Sequence, residues 1–210
     1  MGGSTSHLLQ QELYAQPANY PVVATSPNHC YREPMKLRIM RRKTFSSERS
    51  VRETVTNQEI FHFVDPAFSS TTTIMTPGEI PVVALKSRTF HRQYRVLPHR
   101  DAEQELFCIT YNSQGVAADF CNVVTKQRTR VLLHRQHGWS DRVMVIYLEV
   151  DGTRQAIART YKTKAELFEH RDEYVEVAPG VDVVLVLMLW HVLEDRRQEE
   201  QAASTTVIVA

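Results

Sequence analysis

The sequence predicts a mainly β domain with one apolar C-terminal helix buried at its centre. Short segments with alternating apolar residues recur about every ten residues from Met35 to Val177, which is the spacing of a β-sandwich or barrel. From Val183 to Leu193 the alternation stops and almost every residue is apolar. A helix that is apolar on every side must be surrounded, and a sheet closed into a barrel can surround it.

Composition limits the class of protein. The 210 residues, 42% of them hydrophobic, are enough for one ordinary to large domain with a real core. The formal net charge of +1 argues against a protein that wraps nucleic acid. The odd, sparse set of cysteines fits a reducing compartment, so we expect a cytoplasmic protein. We expect Cys30 to be a loop thiol, and Cys108 and Cys121 to be small buried hydrophobic residues.

Residues 1–34 mix Ser, Gln, Asn, Pro and Gly with few large apolar residues, which predicts an extended, partly disordered leader. It has no apolar core of a secretory signal, although Tyr20 to Val23 could dock on the domain. Its first residues match the short pattern for N-myristoylation at Gly2, and an ordinary disordered leader is the alternative.

Residues 35–198 contain the predicted barrel. One segment, Val143 to Val150, is apolar on both faces, so we expect a strand covered on both sides, by the leader or by a partner. Asp151-Gly152 joins it to the next segment and is the strongest hairpin signal. The other alternating apolar residues are Leu37 and Ile39; Phe61 and Phe63; Val83 and Leu85; Tyr94 and Val96; Phe107, Ile109 and Tyr111; Val131 and Leu133.

The predicted helix spans residues 182–197, with residues 199–210 as a tail. Ala178-Pro179-Gly180 is a turn, Asp182 can cap the helix, and a charged run from Glu194 closes the apolar stretch. The stretch is shorter than the roughly 20 residues that span a bilayer, so we expect no transmembrane segment. A long buried strand is the alternative, because Val183 to Val186 are β-formers.

Two segments resemble the LURP-one-related family, whose fold is that of the tubby C-terminal domain and the phospholipid scramblases. They are Gly78-Glu79-Ile80-Pro81-Val82-Val83-Ala84-Leu85-Lys86 and Tyr174-Val175-Glu176-Val177-Ala178-Pro179-Gly180-Val181-Asp182. The resemblance covers roughly Met35 to Arg197. It implies a closed antiparallel barrel of about twelve strands around the C-terminal helix. The chain has neither a cysteine-rich palmitoylation tract nor an acidic calcium loop, so the resemblance does not extend to lipid scrambling.

No motif for catalysis, a nucleotide or a metal is present, so we expect a non-enzymatic protein without a cofactor. His134, His137 and Asp141 are the alternative: they are grouped closely enough for a loop active site, although solvated loop histidines explain them as well.

Two basic stripes remain. The first contains Lys36, Arg38, Arg41, Arg42 and Lys43, and the second contains Lys86, Arg88, His91, Arg92, Arg95 and Arg100. The candidate lipid ligands among them are Lys36, Arg38, Arg42, Lys86, Arg88, Arg92 and Arg95. On a strand every second base faces solvent, so each stripe could hold the phosphates of a lipid headgroup. The alternative is a solvated outer face balanced by nearby acids. The tubby relatives bind phosphoinositides, and the resemblance therefore implies docking on anionic membrane lipid.

Four hypotheses of function follow. The first is a peripheral protein that docks on anionic phospholipid or on a protein partner. The second is a pure interaction scaffold, using the outer face of Val143 to Val150 or the tail Thr205 to Ala210. A carrier of small ligands would need an empty barrel, and an enzyme would need the loop site. The oligomeric state is left open.

Overall fold

The computed structural model describes residues 3–41, 48–65, 69–88, 91–134, 143–162 and 173–208. Twelve antiparallel strands follow one another around a closed barrel, and β12 pairs with β1 to close it. The strands are β1 Met35–Arg41, β2 Arg49–Glu53, β3 Glu59–Val64, β4 Thr71–Met75, β5 Pro81–Arg88, β6 Gln93–Leu97, β7 Phe107–Asn112, β8 Gly115–Cys121, β9 Arg128–His134, β10 Val143–Val150, β11 Thr153–Lys162 and β12 Glu173–Val177. Helix α1 spans Gly3–Gln10 and helix α2 spans Val183–Ile208.

Helix α2 fills the barrel, which confirms the predicted fold class. Every residue from Val183 to Leu193 is buried. Trp190 packs against Phe63 of β3 with 5.5 Å between the ring centroids. A carrier of lipocalin type needs an empty barrel, so the filled interior does not support that hypothesis. The helix begins one residue after its predicted start and runs past Arg197 to Ile208.

The carboxylate of Asp182 holds the start of α2, as the sequence predicted, and it also holds the leader. Its Oδ1 accepts hydrogen bonds from the backbone N–H groups of Val184 at 3.0 Å and Leu185 at 3.4 Å. Its Oδ2 accepts from the N–H of Ala24 at 3.1 Å, and from the N–H and hydroxyl of Thr25, both at 2.8 Å. One fully buried side chain therefore joins two distant segments.

The leader is more ordered than the sequence predicted. It contains helix α1 and a 3-10 turn at Pro27–His29, and Val22 and Val23 are buried against the barrel. The sequence predicted neither helical segment, because few apolar residues lie there and they follow no period. Docking of the segment near Val23 is confirmed.

Helix α1 packs against β10, so the leader covers the strand that is apolar on both faces. Met144, Ile146 and Leu148 point to the core, while Val143 and Val145 are buried on the other face. The predicted two-sided covering of this strand is confirmed.

The prediction that Cys108 and Cys121 are buried was wrong. Cys121 is exposed, and Cys108 is half-buried with its thiol 3.5 Å from Glu105 Oε1. Both side chains point outward because their neighbours Phe120 and Ile109 occupy the inner face of the barrel.

Candidate anion-binding surface

The second basic stripe lies where β5 and β6 pair. Lys86 and Arg88 are two residues apart on β5, and Arg95 of β6 lies directly opposite Lys86. The alternation of the strands puts these three side chains on the outer face, because Leu85 and Val96 are buried in the core. Arg92 lies just before β6, at the same end of the pair as Arg88, with a left-handed φ of 51°.

Arg95 is already engaged by acceptors on the neighbouring segment. Its Nε donates to Glu105 Oε2 at 2.7 Å, and its Nη2 donates to the carbonyl of Glu103 at 2.6 Å. The hydrogen bond from Arg95 holds the pKa of the Glu105 carboxyl below its usual value. Arg95 therefore helps to fix the segment before β7 and has little capacity left for a ligand.

Lys86, Arg88 and Arg92 have a different environment, and we call these three residues the β5–β6 basic surface. All three are exposed. Within the described ranges, no carboxylate lies within ion-pair distance of any of them. Three cations on one hairpin thus present their donors to solvent.

The first stripe does not join this surface. Lys36 is 3.3 Å from Glu176 Oε1 and lies over the stacked rings of Tyr161 and Tyr174. A hydrogen bond with Tyr161 is the main reason that the pKa of Lys36 is raised. Arg38 is half-buried and has interactions of its own. Strands β2, β3 and β4 separate β1 from β5 around the barrel, so the two stripes face different directions.

Two predicted positions lie outside the described residues, namely Arg42 of the first stripe and the lipidation position Gly2. His137 and Asp141 of the alternative loop site lie outside them too, while His134 is the half-buried last residue of β9. In the part of the chain that the structure describes, no three His, Cys, Asp or Glu side chains are grouped closely enough to hold a metal ion.

A cavity of about 310 Å³ opens beside Arg92, where α2 leaves the barrel. Tyr111, Val116 and Leu193 supply its apolar wall, and Arg196 and the carboxylates of Glu199 and Glu200 supply its polar wall. Arg92 is the one member of the basic surface that also lines this cavity, so a ligand on the surface could extend into it.

Arg196 is the residue near this surface that the sequence did not reveal. Its guanidinium lies 4.4 Å from the centroid of the Tyr111 ring, and its Nη2 donates to the Tyr94 hydroxyl at 3.0 Å. Burial, with the nearby Asp195 carboxylate, raises the pKa of Tyr94, so this hydroxyl stays protonated and donates to Asp195. Arg196 Nε is buried without a hydrogen-bond acceptor among the described residues. The only sequence signal was a charged run, Glu194 to Arg197, at the end of the apolar stretch of the helix.

Among the residues that the structure describes, no helix has both the length and the apolar composition needed to cross a bilayer.

Comparisons with known proteins agree with the fold. A family model described as LURP-one-related matches residues 35–194. A crystal structure of a protein from Arabidopsis thaliana aligns with a TM-score of 0.63 at 17% identity, covering 84% of this chain and 99% of that one. At that identity the likeness concerns the fold alone. None of the curated protein sequences matches this chain significantly.

Proposed function

This chain belongs to the LURP-one-related family, and from that premise we propose that it acts without catalysis, by docking on anionic phospholipid, phosphoinositides included. The observation that supports docking is the β5–β6 basic surface. Its three cations are exposed and have no ion-pair partner among the described residues, whereas Lys36 and Arg95 are held by carboxylates.

The chemistry of the surface suits phosphate groups. Arginine presents a planar fork that can make two parallel hydrogen bonds to one phosphate, and lysine adds a mobile point charge. Each cation near an anionic leaflet contributes about 1 kcal/mol, so three contribute about 3 kcal/mol. Arg92 also lines the cavity, so a headgroup held between Arg88 and Arg92 would extend toward it.

The proposed location is the cytoplasmic face of a membrane, with the barrel bound peripherally. If Gly2 is myristoylated, its single acyl chain would give only marginal anchoring. A basic surface is then the second signal that stable binding requires.

Flotation of the full chain with liposomes tests the proposal. We expect binding to phosphatidylcholine vesicles that contain phosphatidylinositol bisphosphate or phosphatidylserine, and none to phosphatidylcholine alone. A triple variant, Lys86→Ala with Arg88→Ala and Arg92→Ala, should lose about a hundredfold in affinity, because about 3 kcal/mol of attraction is removed. Free inositol trisphosphate, added as a competitor, separates recognition of the headgroup from attraction to charge alone.

A matched control removes the same charge elsewhere. Arg128, Arg130 and Arg154 are exposed on β9 and β11, and their triple replacement by Ala should change the affinity less than about twofold. Absence of lipid-dependent flotation at low salt would refute the proposal. Equal losses in the two triple variants would reduce it to attraction by net charge without a defined site.

A further inference from the structure

Among the residues that the structure describes, five exposed large apolar side chains lie at one end of the barrel. Antiparallel strands bring every second connection to the same end of a barrel. Five connections therefore lie at the end where α2 begins: β2 to β3, β4 to β5, β6 to β7, β8 to β9 and β10 to β11. Each connection has one such side chain in it or at its edge. They are Val55, Ile80, Leu106, Val124 and Val150, and they are 37–87% exposed.

The leader adds a sixth apolar side chain to this end. Tyr20 is 57% exposed, and it lies in the segment that crosses the barrel end before Val22 docks on Gly180. A groove of about 460 Å³ runs between this segment and two of the connections, and Tyr20, Thr125 and Val150 are among its lining residues. We call the six apolar residues the crown.

Folding does not explain the crown. Single exposed apolar residues are common on protein surfaces and need no explanation. Here one recurs in or at the edge of all five connections, where polar turn residues would serve the backbone equally well.

The charges around the crown indicate the kind of partner. The five connections contain the carboxylates of Glu79, Asp101, Glu103, Glu105 and Asp151 and the cations Arg100 and Lys126. The exposed Arg128 and Arg154 flank two of these connections. The connections themselves are thus net acidic in a chain whose net charge is +1. An anionic membrane would be repelled by them, and so would the same end of a second copy. A surface with apolar contacts and a basic rim would be attracted.

The size of this end fits a protein interface. Twelve strands about 4.8 Å apart, tilted as in other barrels, close a ring about 24 Å across, and side chains extend it to about 30 Å. The end face then offers roughly 700 Å², close to the roughly 800 Å² that each partner buries in a standard interface.

We propose that the crown is the docking surface for a protein partner whose contact face is apolar at its centre and rich in Lys and Arg at its edge. The crown shares no residue with the β5–β6 basic surface, so the molecule has two separate surfaces. Failure of lipid docking would leave this proposal intact.

A defined probe tests the chemistry of the crown. The isotope-labelled full chain is titrated with an amphipathic helical peptide of leucine and lysine, and the backbone amide shifts are followed by NMR. We expect shifts confined to the five connections and the segment around Tyr20. A peptide with glutamate in place of lysine should bind at least about tenfold more weakly because the crown is acidic. Equal binding of the two peptides, or shifts centred elsewhere, would overturn the proposal.

Variants separate the crown from general stickiness. Replacement of Val55, Ile80 and Val124 by Asn should weaken binding of the lysine peptide at least about tenfold, since each removes an apolar contact. Leu9→Asn removes an exposed apolar side chain outside the crown, and binding should change less than about twofold. The urea midpoint of the crown variant should be unchanged because the replaced side chains are exposed. An unchanged affinity in a folded crown variant would contradict the proposal.

Two further measurements address other occupants. If the wild type floats with phosphatidylcholine vesicles and the crown variant does not, the crown is a membrane surface and the proposal is wrong. If sedimentation equilibrium shows a dimer that the crown variant abolishes, the occupant is a second copy and the proposal is again wrong. A monomer that ignores neutral vesicles but binds the lysine peptide through the crown supports it.

Discussion

Gly180 is required by the way the leader crosses the barrel end. Its φ is +75°, and a Cβ built there would lie 2.5 Å from the carbonyl oxygen of Gln16. Its N–H donates to the carbonyl of Tyr31 at 2.9 Å, and its carbonyl accepts from the N–H of Val22 at 2.9 Å. The residue is therefore held on both sides by leader backbone that cannot move easily.

Gly180→Ala should destabilise the protein more than Gly152→Ala. Gly152 has the same left-handed conformation, with φ +77°, but its added Cβ would meet nothing within 4 Å. The conformational cost of Gly152→Ala is about 1 kcal/mol. Gly180→Ala also requires Gln16 to move. We therefore expect its loss of unfolding free energy, measured by urea denaturation, to be about 2 kcal/mol larger than that of Gly152→Ala. Equal losses of unfolding free energy in the two variants would show that the leader backbone at Gln16 can move away without destabilising the protein.

His191 makes stability depend on pH. It is buried on α2 and stacks on Phe63 with 5.3 Å between the ring centroids. Burial lowers the pKa of His191, and the charge of Asp65 opposes this only in part. The unfolded chain, with an ordinary pKa near 6.5, then binds a proton more readily than the folded protein. Stability is complete above about pH 6.5 and falls as the pH decreases toward the folded value.

His191→Gln should reduce that dependence. One histidine contributes at most about 1.4 kcal/mol per pH unit. The loss of unfolding free energy between about pH 7.5 and about pH 5.5 should therefore be smaller in the variant, by at most about 1.4 kcal/mol. Burial lowers the pKa of His29 too, and because His29 is present in both proteins its contribution cancels. The same loss in both proteins would show that His191 does not take part.

The sequence already contained the signal that would have corrected the cysteine prediction. Phe107, Ile109 and Tyr111 were assigned to one face, which places Cys108 on the other. Burial of a cysteine is a strong tendency of the residue type, but in a strand the period of two decides which face a side chain takes.

At the scale of elements, the sequence predicted where α2 begins but not where it ends. The Gly180 turn and the Asp182 cap are local signals. The predicted helix ended at residue 197, whereas α2 continues to Ile208. Arg196 and Arg197, in the charged run that was expected to close the apolar stretch, are only 8% and 6% exposed. The guanidinium of Arg196 lies over the ring of Tyr111, and Nη2 of Arg197 lies 3.5 Å from Met144 Sδ. Those contacts come from distant strands, so no local pattern reveals them.

Leu187→Asp tests central burial of α2. Leu187 has no exposed surface, and an uncompensated carboxylate there costs several kcal/mol. We expect an insoluble or unfolded chain. Gln198→Asp places the same group on an exposed position of the same helix, and it should remain soluble and melt cooperatively. A soluble Leu187→Asp protein with a cooperative melt would contradict burial at the centre.

Three strands escaped the sequence pattern for identifiable reasons. Strand β2, Arg49–Glu53, has a single apolar residue, Val51. Strand β4 begins with three threonines, and β8 places the small Ala118 between Val116 and Phe120 on its inner face. A narrow barrel around a helix needs small or few inward side chains at some positions, so the alternation of large apolar residues is lost there.

At the scale of the whole molecule, the candidate surface was only half predictable. The strand period predicted the bases of both stripes on the outer face, and Lys36, Lys86, Arg88 and Arg95 lie there. It could not show which cations are engaged, because the partners lie on other strands. Glu176 follows Lys36 by 140 positions in the sequence, and only closure of β1 on β12 brings them to 3.3 Å.

Asp182 also determines whether the leader and the barrel unfold together. It accepts two hydrogen bonds from α2 and three from the leader. Asparagine keeps one of the two side-chain oxygens as an acceptor and has an NH₂ group in place of the other. That NH₂ group cannot accept the hydrogen bonds of the backbone donors that face it. Asp182→Asn should therefore leave one set of buried donors unsatisfied, at about 1–3 kcal/mol for each group.

Native-state hydrogen exchange tests this coupling. The amides of Ala24 and Thr25 should exchange with free energies within about 1 kcal/mol of those in the buried part of α2, because both need the unit held by Asp182 to open. Amides of α1, on the barrel surface, should exchange with lower free energies. In Asp182→Asn the Ala24 and Thr25 amides should lose at least about tenfold in protection relative to α2, since one hydrogen bond contributes about 1.5 kcal/mol or more when its acceptor is charged. If these amides exchange far faster than α2 in the wild type, the leader opens on its own and Asp182 does not couple it to the barrel.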